Sequence, residues 1–415
     1  SGGVHEAMSR ELKVYLGNSK VGRLLQDDSG DLSFTYDSTW LDSGEARPLS
    51  ASLPLKKEPF HRRECRPFFA GLLSEESGRV LVARYFGVSD KNDFALLAEI
   101  GAECAGAVCL HEEDEKSDVA ADEYRKISLS ELAEKMALLP TRPLLVGEAG
   151  MLLSLAGAQG KLAVMIREGE IALPLEGAPS SHIIKPQILR FEGLVENEFT
   201  CMKLAEAVGL NVAKVKIGKA VETSYLEILR YDRASEKEEQ LRRIHQEDFC
   251  QALAIPPALK YQTEGGPSLK KCFELVRSVS TNPGADVLAL FDAVIFNFLV
   301  GNNDAHGKNF SFLYDGDSAE LAPLYDLVCT QAYPEWSTVM VMKIGGEKEV
   351  EKLTGKHWKT FFYEAVLGSL PAARRALELA KRVMREITSV EGKSLPSEAV
   401  CEAVRENDIR LNVLR

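Results

Sequence analysis

Residues 11–36 carry the first regular pattern: LKVYL, KVGRLLQ and DLSFTY are three short runs rich in β-formers. Gly17-Asn18 and Asp27-Asp28-Ser29-Gly30 separate them, and turn formers between such runs predict an antiparallel meander. Pro48, Pro54, Pro59 and Pro67 punctuate the next stretch, and helical spacing begins at Arg66 with Phe68, Phe69, Leu72 and Leu73 on one side. A further helix is predicted over Asp93–Ile100, and another over 130–139 from Leu132, Met136 and Leu139. Strands follow at 162–166 and 171–173 about a Glu168-Gly169 turn, and Ile183-Ile184 suggests a buried strand ending at Lys185-Pro186. Val195, Phe199, Met202, Ala205 and Val208 define an amphipathic helix over 195–208, stopped by Gly209.

Strands are predicted at 212–217 and 225–229, and helices at 246–254, 270–278 and 286–300. The last is apolar nearly all round, so it should be a central buried helix. A strand at 338–343 and helices at 356–367, 371–388 and 397–406 complete the pattern, with Glu378 and Arg382 as an i,i+4 pair. Strands and helices are segregated, and the expected fold class is α+β.

Composition adds bounds. A chain of 415 residues exceeds one ordinary core, so two or three lobes are expected. Four consecutive spans are read: 1–110, a charged linker at 111–126 (HEEDEKSDVAADEYRK), a strand-rich part at 127–232, and a helical lobe at 233–415. The net charge of −12 argues against a broad nucleic-acid surface. Eight cysteines form no Cys-x-x-Cys pair and read as buried thiols of a reducing, cytoplasmic protein. No apolar run reaches the ~20 residues needed to cross a bilayer and no signal peptide is read, so no membrane association is expected.

The informative chemistry lies in FLVGNNDAHGKNFSFLYDGDSAELAPLYD, residues 298–326. Asp304 and Asn309 enclose four residues, and Asp326 follows a strand–turn–strand segment. Protein kinases use Asp-x-x-x-x-Asn in the catalytic loop and a later metal-binding Asp. Phosphoryl transfer needs a carboxylate to take the hydroxyl proton and oxygen ligands for Mg²⁺. Asp304 is the candidate base, with Asn309 and Asp326 the candidate metal ligands; a polar loop satisfying its own turns is the plainer alternative. Lys185, at the end of a core strand, is the candidate phosphate lysine and Lys161 a second; Glu198, in the first turn of the next helix, is the candidate ion-pair partner. His306 is read as holding the loop or touching the transferring phosphate, with the first favoured, and Lys308 as a solvated lysine.

NNDAHGKNFSFL, LAPLYDLV, SLAGAQGKLAV, SHIIKP and QEDFCQALAIPPALKYQ with the following GGPSL resemble the HipA family, the serine/threonine kinase toxins of bacterial toxin–antitoxin pairs. LSASLPL and RPFFAGLLSE resemble that family's N-terminal coupling region, so the likeness runs from about residue 10 to about residue 330. It implies a two-lobed, protein-kinase-like fold with a strand-rich N-terminal subdomain and a helical C-terminal lobe, with ATP and Mg²⁺ held between lobes. The resemblance makes 127–232 the nucleotide-binding part. Ser154, Ala156, Gly157, Ala158, Gln159 and Lys161 would then belong to a phosphate loop, and Leu229, Tyr231 and Asp232 to the adenine hinge. For Lys308, contact with the γ-phosphate is the alternative to the solvated default. Ser154 would be the autophosphorylated serine. Implied partners are a HipB-like helix-turn-helix antitoxin, DNA only through that antitoxin, and a protein substrate, an aminoacyl-tRNA synthetase being one candidate.

Three departures from the usual protein-kinase pattern stand out. Asn302-Asn303 precede Asp304 where kinases carry His-Arg, Leu327-Val328 follow Asp326 in place of Phe-Gly, and no Ala-Pro-Glu segment occurs. They suit a phosphoinositide-type or small-molecule kinase as the alternative enzyme. A non-catalytic co-repressor partner of an antitoxin is the second alternative, and the intact Asp304, Asn309 and Asp326 set argues against it.

Overall fold

The computed structural model describes residues 10–112, 123–143, 159–235, 241–392 and 394–414. The chain forms two compact units, each discontinuous in sequence: one holds the residues up to Ile183 with Asp232–Ala258, the other Ile184–Tyr231 with Leu259–Arg415. Both strands and helices are present in each, as the α+β expectation requires.

The first unit opens with the meander. Arg10–Leu16, Ser19–Gln26 and Leu32–Tyr36 pair antiparallel, extended on one edge by Phe60–His61 and on the other by Val108–His111. The register sets Leu12 opposite Leu24 and Val14 opposite Leu110, and period-two alternation sends these side chains to one buried face. Gly22 lies opposite Tyr36, where a Cβ would sit 2.4 Å from the Thr35 carbonyl oxygen, so the close approach of two strands requires glycine. The Arg62–Gly71 helix, opened by a His61–Glu64 capping box, lays Phe68 and Phe69 on this face; the Phe69 ring is 5.4 Å from that of Phe34. A second sheet places Leu162–Arg167, Glu170–Leu175 and Glu123–Ile127 in that order, antiparallel throughout.

Residues 246–254 are not the helix that their pattern suggests. His245–Asp248 is a strand, followed by one helical turn, Phe249–Ala252. Asp248 is the N-cap, accepting the Gln251 N–H at 2.9 Å in a capping box, so the helix cannot start earlier. Glu247 is instead buried as a strand residue, accepting from the Ser50 hydroxyl and from the Ala51 N–H at 2.9 Å. With Gln251 Nε2 donating to the Phe68 carbonyl at 3.0 Å, these bonds fasten the segment to the meander's helix and loop.

In the second unit, Val215–Ala220, Thr223–Leu229 and His182–Pro186 are successive sheet neighbours, the last crossing the boundary between units. The Leu194–Ala207 helix packs on the first two of these and on the Ser369–Val390 and Leu395–Leu411 helices. Arg382 of the Ser369–Val390 helix does not pair with Glu378 as its spacing suggests; Nη1 donates to the Val208 carbonyl at 2.6 Å, satisfying a helix end. The Pro283–Leu299 helix starts with Pro at its first turn and is buried along nearly its whole length, as its apolar circumference predicts. Asn407 of the final helix donates to the Phe298 carbonyl at 2.9 Å and so caps its C-terminal end. Among the described residues no helix is long and apolar enough to cross a membrane, and all eight cysteines are buried with free thiols.

Candidate active site

The central helix delivers the chain to the site. Gly301 follows it at φ 70°, a left-handed step that glycine makes without a Cβ clash. The loop beyond is held by buried amides. Asn297 Nδ2 donates to the Ala293 carbonyl at 2.9 Å, its Oδ1 accepts from Asn302 Nδ2 at 2.7 Å, and Asn302 Oδ1 accepts the Asp304 N–H at 3.2 Å. The Asn303 N–H donates to Thr330 Oγ1 at 2.9 Å, and that hydroxyl donates to the Gly301 carbonyl at 3.0 Å. Asp304 thus has a fixed backbone while the residue itself is exposed, an arrangement in which a substrate hydroxyl can reach its carboxylate.

A 3₁₀ turn, Gly307–Asn309, comes next. The His306 N–H donates to Asn309 Oδ1 at 3.0 Å and the Asn309 N–H donates to the His306 carbonyl at 2.9 Å, so the two residues close the turn reciprocally. The His306 ring lies 5.6 Å from that of Tyr261. Lys308 is buried, contrary to the solvated lysine expected. The compact turn holds it inside, with the Tyr325 hydroxyl donating to the Lys308 carbonyl at 2.7 Å.

The Ser311–Asp315 and Ser318–Leu321 hairpin leads to Asp326. Leu324 exchanges backbone bonds with Asn211 and Ala213, each at 2.9 Å, which fixes the approach. Asp326 has φ 58°, an uncommon left-handed conformation for a residue with a Cβ, held here by its surroundings. Its Oδ1 accepts from Lys185 Nζ at 2.6 Å and its Oδ2 from Asn309 Nδ2 at 3.1 Å.

Lys185 is buried at the end of its strand, and Nζ also donates to Glu198 Oε1 at 2.7 Å. Burial alone would favour the neutral amine; Asp326 and Glu198 together outweigh it and raise the pKa, so Lys185 stays charged. Glu198 is almost wholly enclosed, whereas the Asp326 side chain keeps 44% of its surface exposed and remains open to a ligand. Asp326 and Asn309 meet through the Asn309 amide nitrogen, and between them carry a carboxylate and an amide oxygen, the latter accepting the His306 N–H here; both are hard donors of the kind Mg²⁺ takes alongside phosphate oxygens. No group of three or more His, Cys, Asp or Glu able to hold a metal occurs among the described residues.

Lys185, Glu198, Asn309 and Asp326 are therefore in direct contact, with Asp304, His306 and Lys308 on the same tied loop. Tyr231 stacks on Tyr325 at 5.9 Å, and Leu229, beside it, is half exposed. Asp232 belongs to the first unit, where its carboxylate accepts the Gly106 N–H at 2.7 Å and pairs with buried Arg233 at 3.0 Å. Gln159 and Lys161 precede the Leu162–Arg167 strand of the first unit. Ser154, Ala156, Gly157 and Ala158 lie outside the described residues, as does most of the charged linker.

Sequence reasoning missed the amides behind the site, Asn197, Asn297 and Asn302, and also Thr330 and Tyr325. One signal was present: Asn297 is the only side-chain amide in the apolar run FDAVIFNFLV, and a buried amide must find hydrogen-bond partners.

The HipA-like C-terminal domain matches residues 153–391, and the HipA N-terminal domain matches residues 12–111. A protein of Sinorhizobium fredii named putative kinase Y4mE is 50% identical over 372 residues, covering 89% of this chain and 88% of that protein. The serine/threonine-protein kinase toxin HipA of Shewanella oneidensis is 29% identical over 397 residues, covering 92% and 90%. A solved structure of the Shewanella oneidensis HipA, HipB and operator DNA complex superposes with a TM-score of 0.83 at 28% identity, covering 97% of this chain and 96% of that one.

Proposed function

We propose that this chain, which belongs to the HipA family of serine/threonine-protein kinase toxins, transfers the terminal phosphoryl group of ATP to a serine or threonine of another protein. The observation that carries the reading is one charge cluster: Lys185 Nζ lies 2.7 Å from Glu198 and 2.6 Å from Asp326, and Asp326 also meets Asn309 at 3.1 Å. A buried lysine kept cationic by two carboxylates is suited to phosphate oxygens, because the charge is fixed before the ligand arrives. In this mechanism Lys185, held by Glu198, binds ATP phosphate oxygens. Asn309 and Asp326 would hold Mg²⁺, which would supply neutralisation of charge on the transferring group. Asp304 orients the acceptor hydroxyl and accepts its proton as oxygen bonds to phosphorus and the bond to the ADP oxygen breaks. His306 keeps the loop closed through Asn309.

The kinase name of the relatives favours this over a silent co-repressor. The same reading takes a HipB-like antitoxin as partner, reaching DNA through it, since the Shewanella relative was solved with HipB and operator DNA. An aminoacyl-tRNA synthetase is proposed as the substrate class from the family resemblance, and Ser154 as a site of self-inactivating autophosphorylation, where added negative charge would repel ATP phosphates.

The test is transfer of labelled phosphate from ATP in a bacterial lysate, with identification of the labelled protein. Asp304→Asn, which keeps the side chain's shape, should abolish labelling while leaving Mg·ATP binding intact. Undiminished labelling by Asp304→Asn would remove the mechanism. Phosphopeptide mapping after incubation with Mg·ATP tests Ser154, and an unmodified Ser154 in active protein would withdraw that part.

A further inference from the structure

Asp326 combines an uncommon backbone conformation with a half-open side chain, so something must hold the segment that carries it. The residues just after it are buried: Leu327, Val328, Cys329 and Thr330. Cys329 is gripped on both sides of its backbone by one side chain. Asn197 Oδ1 accepts the Cys329 N–H at 2.8 Å, and Asn197 Nδ2 donates to the Cys329 carbonyl at 3.1 Å. Asn197 is fully buried and immediately precedes Glu198, the partner of Lys185. The next residue, Thr330, makes the matching tie to the loop of Asp304 through Asn303 and Gly301.

We infer that Asn197 is a positioning residue that locks the Glu198 helix to the Asp326 segment, so that phosphate lysine and metal carboxylate are set in register by one amide. The inference rests on the metal-dependent kinase reading and assigns a role to a residue outside the charge cluster. A carboxamide offers a donor and an acceptor in one plane, which lets a single side chain meet both the N–H and the C=O of one residue. Apolar packing alone would let the helix slide against the segment, because it is non-directional; two hydrogen bonds to the backbone of one residue, Cys329, fix the offset. Any helix displacement then moves Glu198, and through Lys185 alters how Asp326 is presented.

Thr200 provides the internal control. It is on the same helix and buried, and its Oγ1 meets Ser397 Oγ at 3.0 Å, away from the charge cluster. Three proteins are compared with the unaltered chain: Asn197→Ala, the isosteric Asn197→Asp, which keeps the acceptor and loses the donor, and Thr200→Val. The readouts are calorimetric binding of Mg²⁺ with a non-hydrolysable ATP analogue, the Mg²⁺ concentration at half-maximal transfer, and the melting temperature. Loss of two buried hydrogen bonds at a site-setting contact corresponds to roughly tenfold or more in an equilibrium constant. Asn197→Ala is expected to raise the half-saturating Mg²⁺ about tenfold and weaken analogue binding similarly, Asn197→Asp to do so to a lesser degree, and Thr200→Val to lower melting temperature with Mg²⁺ dependence unchanged. If Asn197→Ala does not fold, Asn197→Asp decides alone. Wild-type Mg²⁺ dependence in the Asn197 variants, or an equal shift in Thr200→Val, overturns the assignment. Absence of Mg-analogue binding by the unaltered chain would instead remove the kinase reading on which it stands.

Discussion

Replacing Lys185 by Met tests the charge cluster through stability, independently of catalysis. The substitution keeps the length of the stem and deletes the charge. It leaves the Glu198 carboxylate, of which 3% is exposed, without its cation, whereas Asp326, 44% exposed, is rescued by solvent. Removing one partner of an enclosed ion pair costs about 3–5 kcal/mol, while the exposed arm contributes about 0–1 kcal/mol. For a unit of this size that is a fall in melting temperature on the order of 10 °C. Converting the pair together, Lys185→Met with Glu198→Leu, removes both charges, and the double variant should recover to within about 1 kcal/mol of the parent. Trp336 and Trp358 lie in the second unit and Trp40 in the first, so fluorescence in a Trp40→Phe background reports this unit alone. A single variant that loses less than about 1 kcal/mol, or a double variant no more stable than the single one, would refute an enclosed, mutually dependent pair.

Asp326→Ala should lose measurable Mg·ATP binding by calorimetry; equal binding by variant and parent would deny Asp326 a ligand role. His245 is buried with its ring on the Leu49 carbonyl at 2.9 Å, and burial lowers its pKa from 6.5 to about 4. Between those values the unfolded chain binds the extra proton, so stability is full above pH 6.5 and falls towards pH 4 by up to about 3 kcal/mol. Chemical denaturation across that window should show the slope, and His245→Gln should flatten it; an unchanged slope would contradict the assignment. Gly22→Ala should destabilise the meander by about 1–3 kcal/mol through overpacking, and a neutral effect in a thermal melt would show that the strands can separate.

Much of the fold was legible because its signals are local. The Asp93–Ile100 helix and the Pro283–Leu299 helix announce themselves through periodicity or its absence. The 246–254 segment misled because Glu247 is drawn into a strand by Ser50 and Ala51, some 200 residues earlier, which no window on the sequence contains. Spacing and resemblance grouped Lys185, Glu198, Asn309 and Asp326, which meet in the structure, yet the direct bond between Lys185 and Asp326 had no sequence signal. Lys308 was misjudged because a lysine's usual preference for water yields to a tight turn. The asparagines behind the site were overlooked for a common reason: each serves backbone or amide groups brought near by tertiary packing.

The interleaving of the two units has a consequence for synthesis. The first unit needs Glu247 and Gln251 to fasten its own early loop and helix, so it cannot close until residue 258 has left the ribosome. By then the strand of Lys185 and the helix of Glu198 have already emerged, and they must wait for Asp326 and for the final helix that caps the central one. Since chains emerge amino end first, the cluster of Lys185, Glu198 and Asp326 cannot assemble until Asp326 has been made, and a product terminated before that point would carry the lysine without the carboxylate that completes its pairing.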